Sequence, residues 1–159
     1  MPLEHEELTG HIIGAAIEVH VQLGPGFLES IYENALALEL RHRGLPFVRQ
    51  QAVPVLYRGV QVGCHRLDLF VADQIVVEIK NVKEIQNVHF VIVRSYLRAV
   101  GREHGLLVNF SQPSLEVRRV RSRKTDRVGH PGFLGSSETP SRADEPAPWA
   151  FTDLDPQDG

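Results

Sequence analysis

Arg66-Leu67-Asp68-Leu69-Phe70-Val71-Ala72-Asp73-Gln74-Ile75-Val76-Val77-Glu78-Ile79-Lys80 consists of two apolar-rich runs around a short polar break. Taking Ala72-Asp73-Gln74 as a three-residue hairpin loop, a common length, sets Val71 against Ile75, Phe70 against Val76, Leu69 against Val77 and Asp68 against Glu78. Side chains alternate between the faces of a strand. One face then carries Leu67, Leu69, Val71, Ile75, Val77 and Ile79. The other carries Arg66, Asp68, Phe70, Val76, Glu78 and Lys80. A slip of one residue would mix the two sets, so the pattern itself specifies the register.

This register has an electrostatic consequence. Opposed side chains on paired strands have Cβ atoms about 4.5–5.5 Å apart, and like charges so placed repel. Two arrangements relieve the repulsion between Asp68 and Glu78. In one, Arg66 and Lys80 supply counter-charge in a solvated ladder of ion pairs. In the other, a divalent cation sits between the acids. Mg²⁺, or Mn²⁺ in its place, takes a few carboxylate oxygens, keeps waters and accepts phosphate oxygens. Such an ion acidifies a bound water and steadies charge on phosphorus, with Lys80 adding its own charge. Phe70 and Val76 on the same face favour a covered site over a solvated one.

Outward from the hairpin, the rest of the chain reads as helices and further strands. Residues 7–23 place Ile12, Ala16, Val19 and Leu23 at helical spacing, with Ile13 and Ile17 widening the stripe. Gly24-Pro25-Gly26 ends that helix, and a second occupies 27–43, up to Gly44-Leu45-Pro46. Residues 47–57 form a strand interrupted by Pro54, hence at an edge or bulged. Arg58-Gly59 turns the chain into the strand ending at Val71. After Lys80 come a helix at 88–100, a strand at 106–110 and a last strand at 115–120. Glu29, in the first turn of the second helix, is a third candidate acid, with Tyr32 and Glu33 on its side of the helix. An acid is also favoured there by the helix dipole alone.

The 159 residues suggest one folded domain, residues 1–120. Residues 121–159 hold half of the ten prolines and few aliphatics, a composition expected to stay disordered. Trp149-Ala150-Phe151 within it reads more readily as part of a flexible end than as a docking motif for a protein partner. A single cysteine, Cys64, excludes an internal disulfide and a thiolate-rich zinc site; it reads as a small buried or half-buried side chain. The net charge of −3 excludes a globally basic nucleic-acid binder. No apolar run is long enough for a membrane span and residues 1–10 are acidic and polar, so a cytoplasmic location is expected.

The chain resembles the GxxExxY proteins of the PD-(D/E)xK nuclease superfamily. Gly26-Phe27-Leu28-Glu29-Ser30-Ile31-Tyr32 matches the signature that names them. Ala16 to His20, Leu23 to Gly26, Arg66 to Leu69, Val77 to Lys80, Tyr96-Leu97 and Gly105 to Phe110 match further motifs in order. The resemblance implies an α/β (α+β) restriction-endonuclease-like core, a mixed sheet flanked by helices in the order α-α-β-β-β-α-β. It implies that Asp68, Glu78, the Ile79 backbone carbonyl and Glu29 hold Mg²⁺ or Mn²⁺, with Lys80 catalytic. Substrate contacts on a nucleic acid or nucleotide are expected from Tyr32, Arg66, Arg94 and Tyr96, although relatives carry an aliphatic residue where Arg94 stands, and a homodimer is left open. Gln50 also matches a family position. His20 and His89 do too, and both read more readily as hydrogen-bonded helix residues than as ligands. Arg94, Arg98 and Arg102, four apart, suggest a basic stripe on one helix face. Ile92 departs from the pattern, standing where relatives carry a glutamine. A nuclease-fold module that binds nucleic acid or a protein without cleaving is therefore the alternative function.

Overall fold

The structure, a computed structural model, describes residues 5–123. In chain order it comprises α1 (His5–Leu23), α2 (Glu29–His42), β1 (Phe47–Tyr57), β2 (Val60–Val71), β3 (Ile75–Lys80), α3 (Asn87–Val100), β4 (His104–Asn109) and β5 (Glu116–Arg121). The five strands form one sheet in the order β1-β2-β3-β4-β5. Only β3 and β4 are parallel neighbours, joined by a crossover through α3, as parallel strands require. This is the mixed, helix-flanked sheet and the element order expected.

Helices cover both faces, so the central strands are apolar on both sides. Leu8, Ile12, Ala15, Ala16 and Val19 of α1 and Leu36 and Leu40 of α2 pack on Leu69, Val71, Ile75, Val77 and Ile79. Ile17, expected in the stripe, is 48% exposed; the buried side of α1 runs through Ala15 instead. On the opposite face Val93 and Leu97 of α3 meet Phe70, Val76 and Leu107. α3 can approach this closely because β4 carries Gly105. A Cβ there would stand 2.9 Å from Val93 Cγ1 and 3.2 Å from the Val76 carbonyl oxygen.

The β2–β3 register is the expected one, with Leu69, Phe70 and Val71 facing Val77, Val76 and Ile75. Ala72 and Asp73 in the loop both have left-handed φ, 52° and 55°. Two features differ from simple alternation. The ladder stops at Leu69 and Val77, so Asp68 and Glu78 are not a ladder pair. Leu67 lies not with Leu69 but on the α3 face, beside Phe70 and Val76. The cause is a local irregularity. Opposite Asp68, Gln50 has φ of 50° and drops out of a β1–β2 ladder that resumes at Gln51 and Leu67.

β5 runs on through Arg121, and the Ser122 amide still donates to the Glu103 carbonyl, so the fold continues past Val120. The tail from residue 124, with Trp149 and Phe151, lies outside the described residues. Cys64 is exposed rather than buried. Among the described residues no helix is long and apolar enough to cross a membrane.

Candidate active site

Three strands and one helix end converge where β2 and β3 part. Glu78 and Lys80, two apart on β3, share a face, and Lys80 Nζ lies 3.0 Å from Glu78 Oε1. Asp68 comes from the irregular point of β2. Its Oδ2 accepts the Ile79 backbone N–H at 2.9 Å, and its Oδ1 accepts from Gln50 Nε2 at 3.4 Å. Glu29, the first residue of α2, lies on the rim, in electrostatic range of Lys80 and Asp68.

Glu78 is 6% exposed. Among the described residues no donor reaches its second oxygen, Oε2, which is buried. A buried carboxylate oxygen without a partner is costly, and burial, reinforced by the neighbouring Asp68, pushes the Glu78 carboxyl up to about 7. Burial also raises Asp68, against the pull of the Ile79 amide, and Glu33 adds to the rise. Glu29 is raised by desolvation, with Lys80 opposing. Burial works against the charge of Lys80, but Glu78, Glu29 and Asp68 outweigh it and hold the ammonium above its usual range. The cluster has more carboxylates than positive charges to balance them. It therefore suits a cation, and the unmet oxygen of Glu78 beside Asp68 supplies hard oxygen donors of the kind Mg²⁺ takes.

Of the expected site residues, the structure brings Asp68, Glu78 and Lys80 together. Glu29 stays at the edge: among the described residues no three acids, histidines or cysteines close into a ready ligand cluster. Tyr96 of α3 is aimed at the same place. Its phenol is raised by burial and then by Glu78, and its ring meets His65 edge-on at 4.6 Å.

Two expectations need correction, the substrate role of Tyr32 and the basic stripe, while Arg66 and Arg94 stay exposed. Tyr32, assigned to substrate, is fully buried. Its hydroxyl donates to the Gly24 carbonyl at 2.6 Å and accepts the Phe27 N–H, and its ring stacks on Phe110, so it shapes the loop leading to Glu29. Arg66 is exposed, with Nη1 directed at the Gln50 carbonyl, and the positive charge acting on the acids is Lys80. Arg94 sits over Phe90 and reaches the Arg121 carbonyl on β5 at 3.4 Å. The basic stripe does not form, because α3 ends at Val100 and Arg102 pairs with Asp73 at the hairpin tip, away from the acids.

His20 and His89 both make the expected hydrogen bonds. His20 Nε2 bonds the Gln112 carbonyl at 2.9 Å, and His89 Nδ1 accepts the Gln86 amide at the start of α3. Sequence reasoning gave no role to Gln50 and left Glu33 as a helix neighbour. Glu33 is 9% exposed, ion-paired to Arg49 at 3.2 Å, and accepts from Gln50 Nε2 at 3.0 Å. The Gln50 amide thus stands as a neutral donor between Glu33 and Asp68. Asn109, buried on β4, brackets the turn after Lys80 by bonding both backbone groups of Val82.

The sequence pattern of the PD-(D/E)XK nuclease superfamily matches residues 6–120. The chain belongs to that superfamily. Comparison with curated proteins gives no significant match. Among solved structures, the chain is similar to an alkaline exonuclease from Laribacter hongkongensis, with a TM-score of 0.46 and 13% identity over 79% of this chain and 74% of that one.

Proposed function

We propose that the chain is a divalent-metal-dependent phosphodiesterase of the GxxExxY kind, hydrolysing a phosphodiester in a nucleic acid or nucleotide. The carrying observation is the buried Glu78 Oε2, which lies beside Asp68 and has no hydrogen-bond partner among the described residues. Asp68, Glu78 and the Ile79 carbonyl would hold Mg²⁺ or Mn²⁺, with Glu29 completing the set from the rim. When bound, the ion supplies Lewis acidity toward water and phosphate.

The chain's own residues supply the rest. The Ile79 and Gln50 hydrogen bonds fix the Asp68 carboxylate before any ligand arrives, and such preorganisation keeps reorganisation costs low. Lys80 keeps its proton and places positive charge where negative charge grows on phosphorus. Tyr96 and His65 wall the α3 side.

Ile92 carries no side-chain amide where relatives have a glutamine, and that favours the second reading, a nuclease fold that binds without cleaving. Incubating single- and double-stranded DNA and RNA with the protein and Mg²⁺ or Mn²⁺ separates the two. The proposal expects cleavage that disappears in Lys80→Ala. No cleavage of any substrate leaves the binding module as the better account.

A further inference from the structure

β2 is long, but only its last three residues pair with β3. From Val60 to Leu67 its ladder partner is β1, so the two strands leave the sheet as a ribbon. Arg58-Gly59 closes the tip, both with left-handed φ, of 50° and 79°, in the two-residue turn that suits paired strands. Asp68 stands at the root. Seven residues at about 3.3 Å carry the ribbon roughly 23 Å from Leu67 to Val60.

Val53 and Leu67 turn toward α3, and His65 meets Tyr96, so the root of the ribbon lies against the helix that walls the acid site. By alternation Tyr57 and its partner Val60 continue that face beyond the helix. Both are exposed, at 63% and 55%, as is Val62 at 50%. Arg58 lies 5.6 Å from the Tyr57 ring centre. In a chain of net charge −3, residues 40–67 contain no Asp or Glu, while the ribbon carries Arg58 and Arg66.

We propose that this ribbon is a nucleic-acid arm: it lays a single strand against Tyr57 and Arg58 and leads it to the acids at the ribbon's root. This rests on the nuclease reading above and gives it a substrate class. An acid-free, arginine-bearing surface suits a polyanion, and an exposed tyrosine beside a guanidinium suits a base next to its phosphate. A reach of roughly 23 Å spans about seven nucleotides at 3.4 Å per strand position. A second copy adding to the edge of β1 fits less well, because Pro54 and the irregularity at Val55/Leu56 break that edge.

The test uses the full chain carrying Asp68→Asn, so that binding is measured without turnover, and a fluorescent 20-nucleotide single strand read by anisotropy. Tyr57→Ala and Arg58→Glu are each added to it. We expect each to weaken binding by roughly tenfold or more, Arg58→Glu to flatten the salt dependence, and the melting temperature to stay unchanged. Unchanged affinity in both variants overturns the arm, as does no binding of the strand by the parent. A variant that changes the oligomeric mass and leaves affinity intact overturns it in favour of an interface between copies. Cleavage by the unsubstituted chain is scored separately: binding through the ribbon without cleavage overturns the nuclease reading and leaves the arm standing.

Discussion

Asp68 on β2 is tied to Ile79 on β3 by a carboxylate–amide hydrogen bond of 2.9 Å, just beyond the last ladder pair of the two strands. The bond replaces the strand pairing that would otherwise occur there, and it holds the Asp68 carboxylate beside Glu78. Asn at position 68 can still accept the Ile79 N–H through its amide oxygen, but it turns an NH₂ toward any cation. Asp68→Asn is therefore expected to melt within a few degrees of the parent and to bind Mn²⁺ at least tenfold more weakly by calorimetry. Equal affinity removes Asp68 from the metal site.

Glu78 makes stability depend on pH. Its carboxyl is raised from 4.5 to about 7 in the fold, so between those values the folded chain holds a proton that the unfolded chain has released. Stability then falls as pH rises through this window and stays low above it, by about 3 kcal/mol in total at about 1.4 kcal/mol per pH unit. Glu78→Gln removes the dependence. Without metal, the variant should gain on the parent between pH 5 and pH 8 in chemical denaturation. Parallel pH curves for the two proteins contradict the buried, unmet carboxylate.

Lys80 is paired to Glu78 but is not expected to ligate a cation. Lys80→Ala should keep Mn²⁺ affinity within a few-fold. Its turnover should drop by about a hundredfold or more, the scale for losing one preorganised charge at a reacting centre. Calorimetry and single-turnover cleavage read the two effects apart. A variant with full activity excludes Lys80 from the chemistry.

Tyr32→Phe tests the reassignment of that residue. Losing the bonds to Gly24 and Phe27 should destabilise the fold by about 1–2 kcal/mol. The strength of strand binding should stay within twofold. A binding loss with no change in melting returns Tyr32 to the substrate.

What could be read from the sequence follows from what is periodic in it. Alternation in residues 69–79 produced the observed β2–β3 register, because every buried side chain there depends on it. The bounds of β1, β2 and β3 were legible because Gly44, Arg58-Gly59 and the 72–74 loop punctuate them. Alternation failed at Leu67, since nothing in a Gln or an Asp signals that Gln50 will take a left-handed φ. The Gln50 bridge between Asp68 and Glu33 was not legible, because the three come from two strands and a helix with no common spacing. Arg102 entered the stripe by its spacing alone, although the helix was expected to stop at Val100, and the left-handed φ of 66° at Gly101 does end α3 there.

The central claim is that Asp68 and Glu78 share one divalent cation. Anomalous diffraction from crystals soaked in Mn²⁺ tests it most directly. The account predicts one strong peak within coordination distance of an Asp68 carboxylate oxygen and of Glu78 Oε2, absent in Glu78→Gln. A peak elsewhere, or none between these two acids, would contradict it.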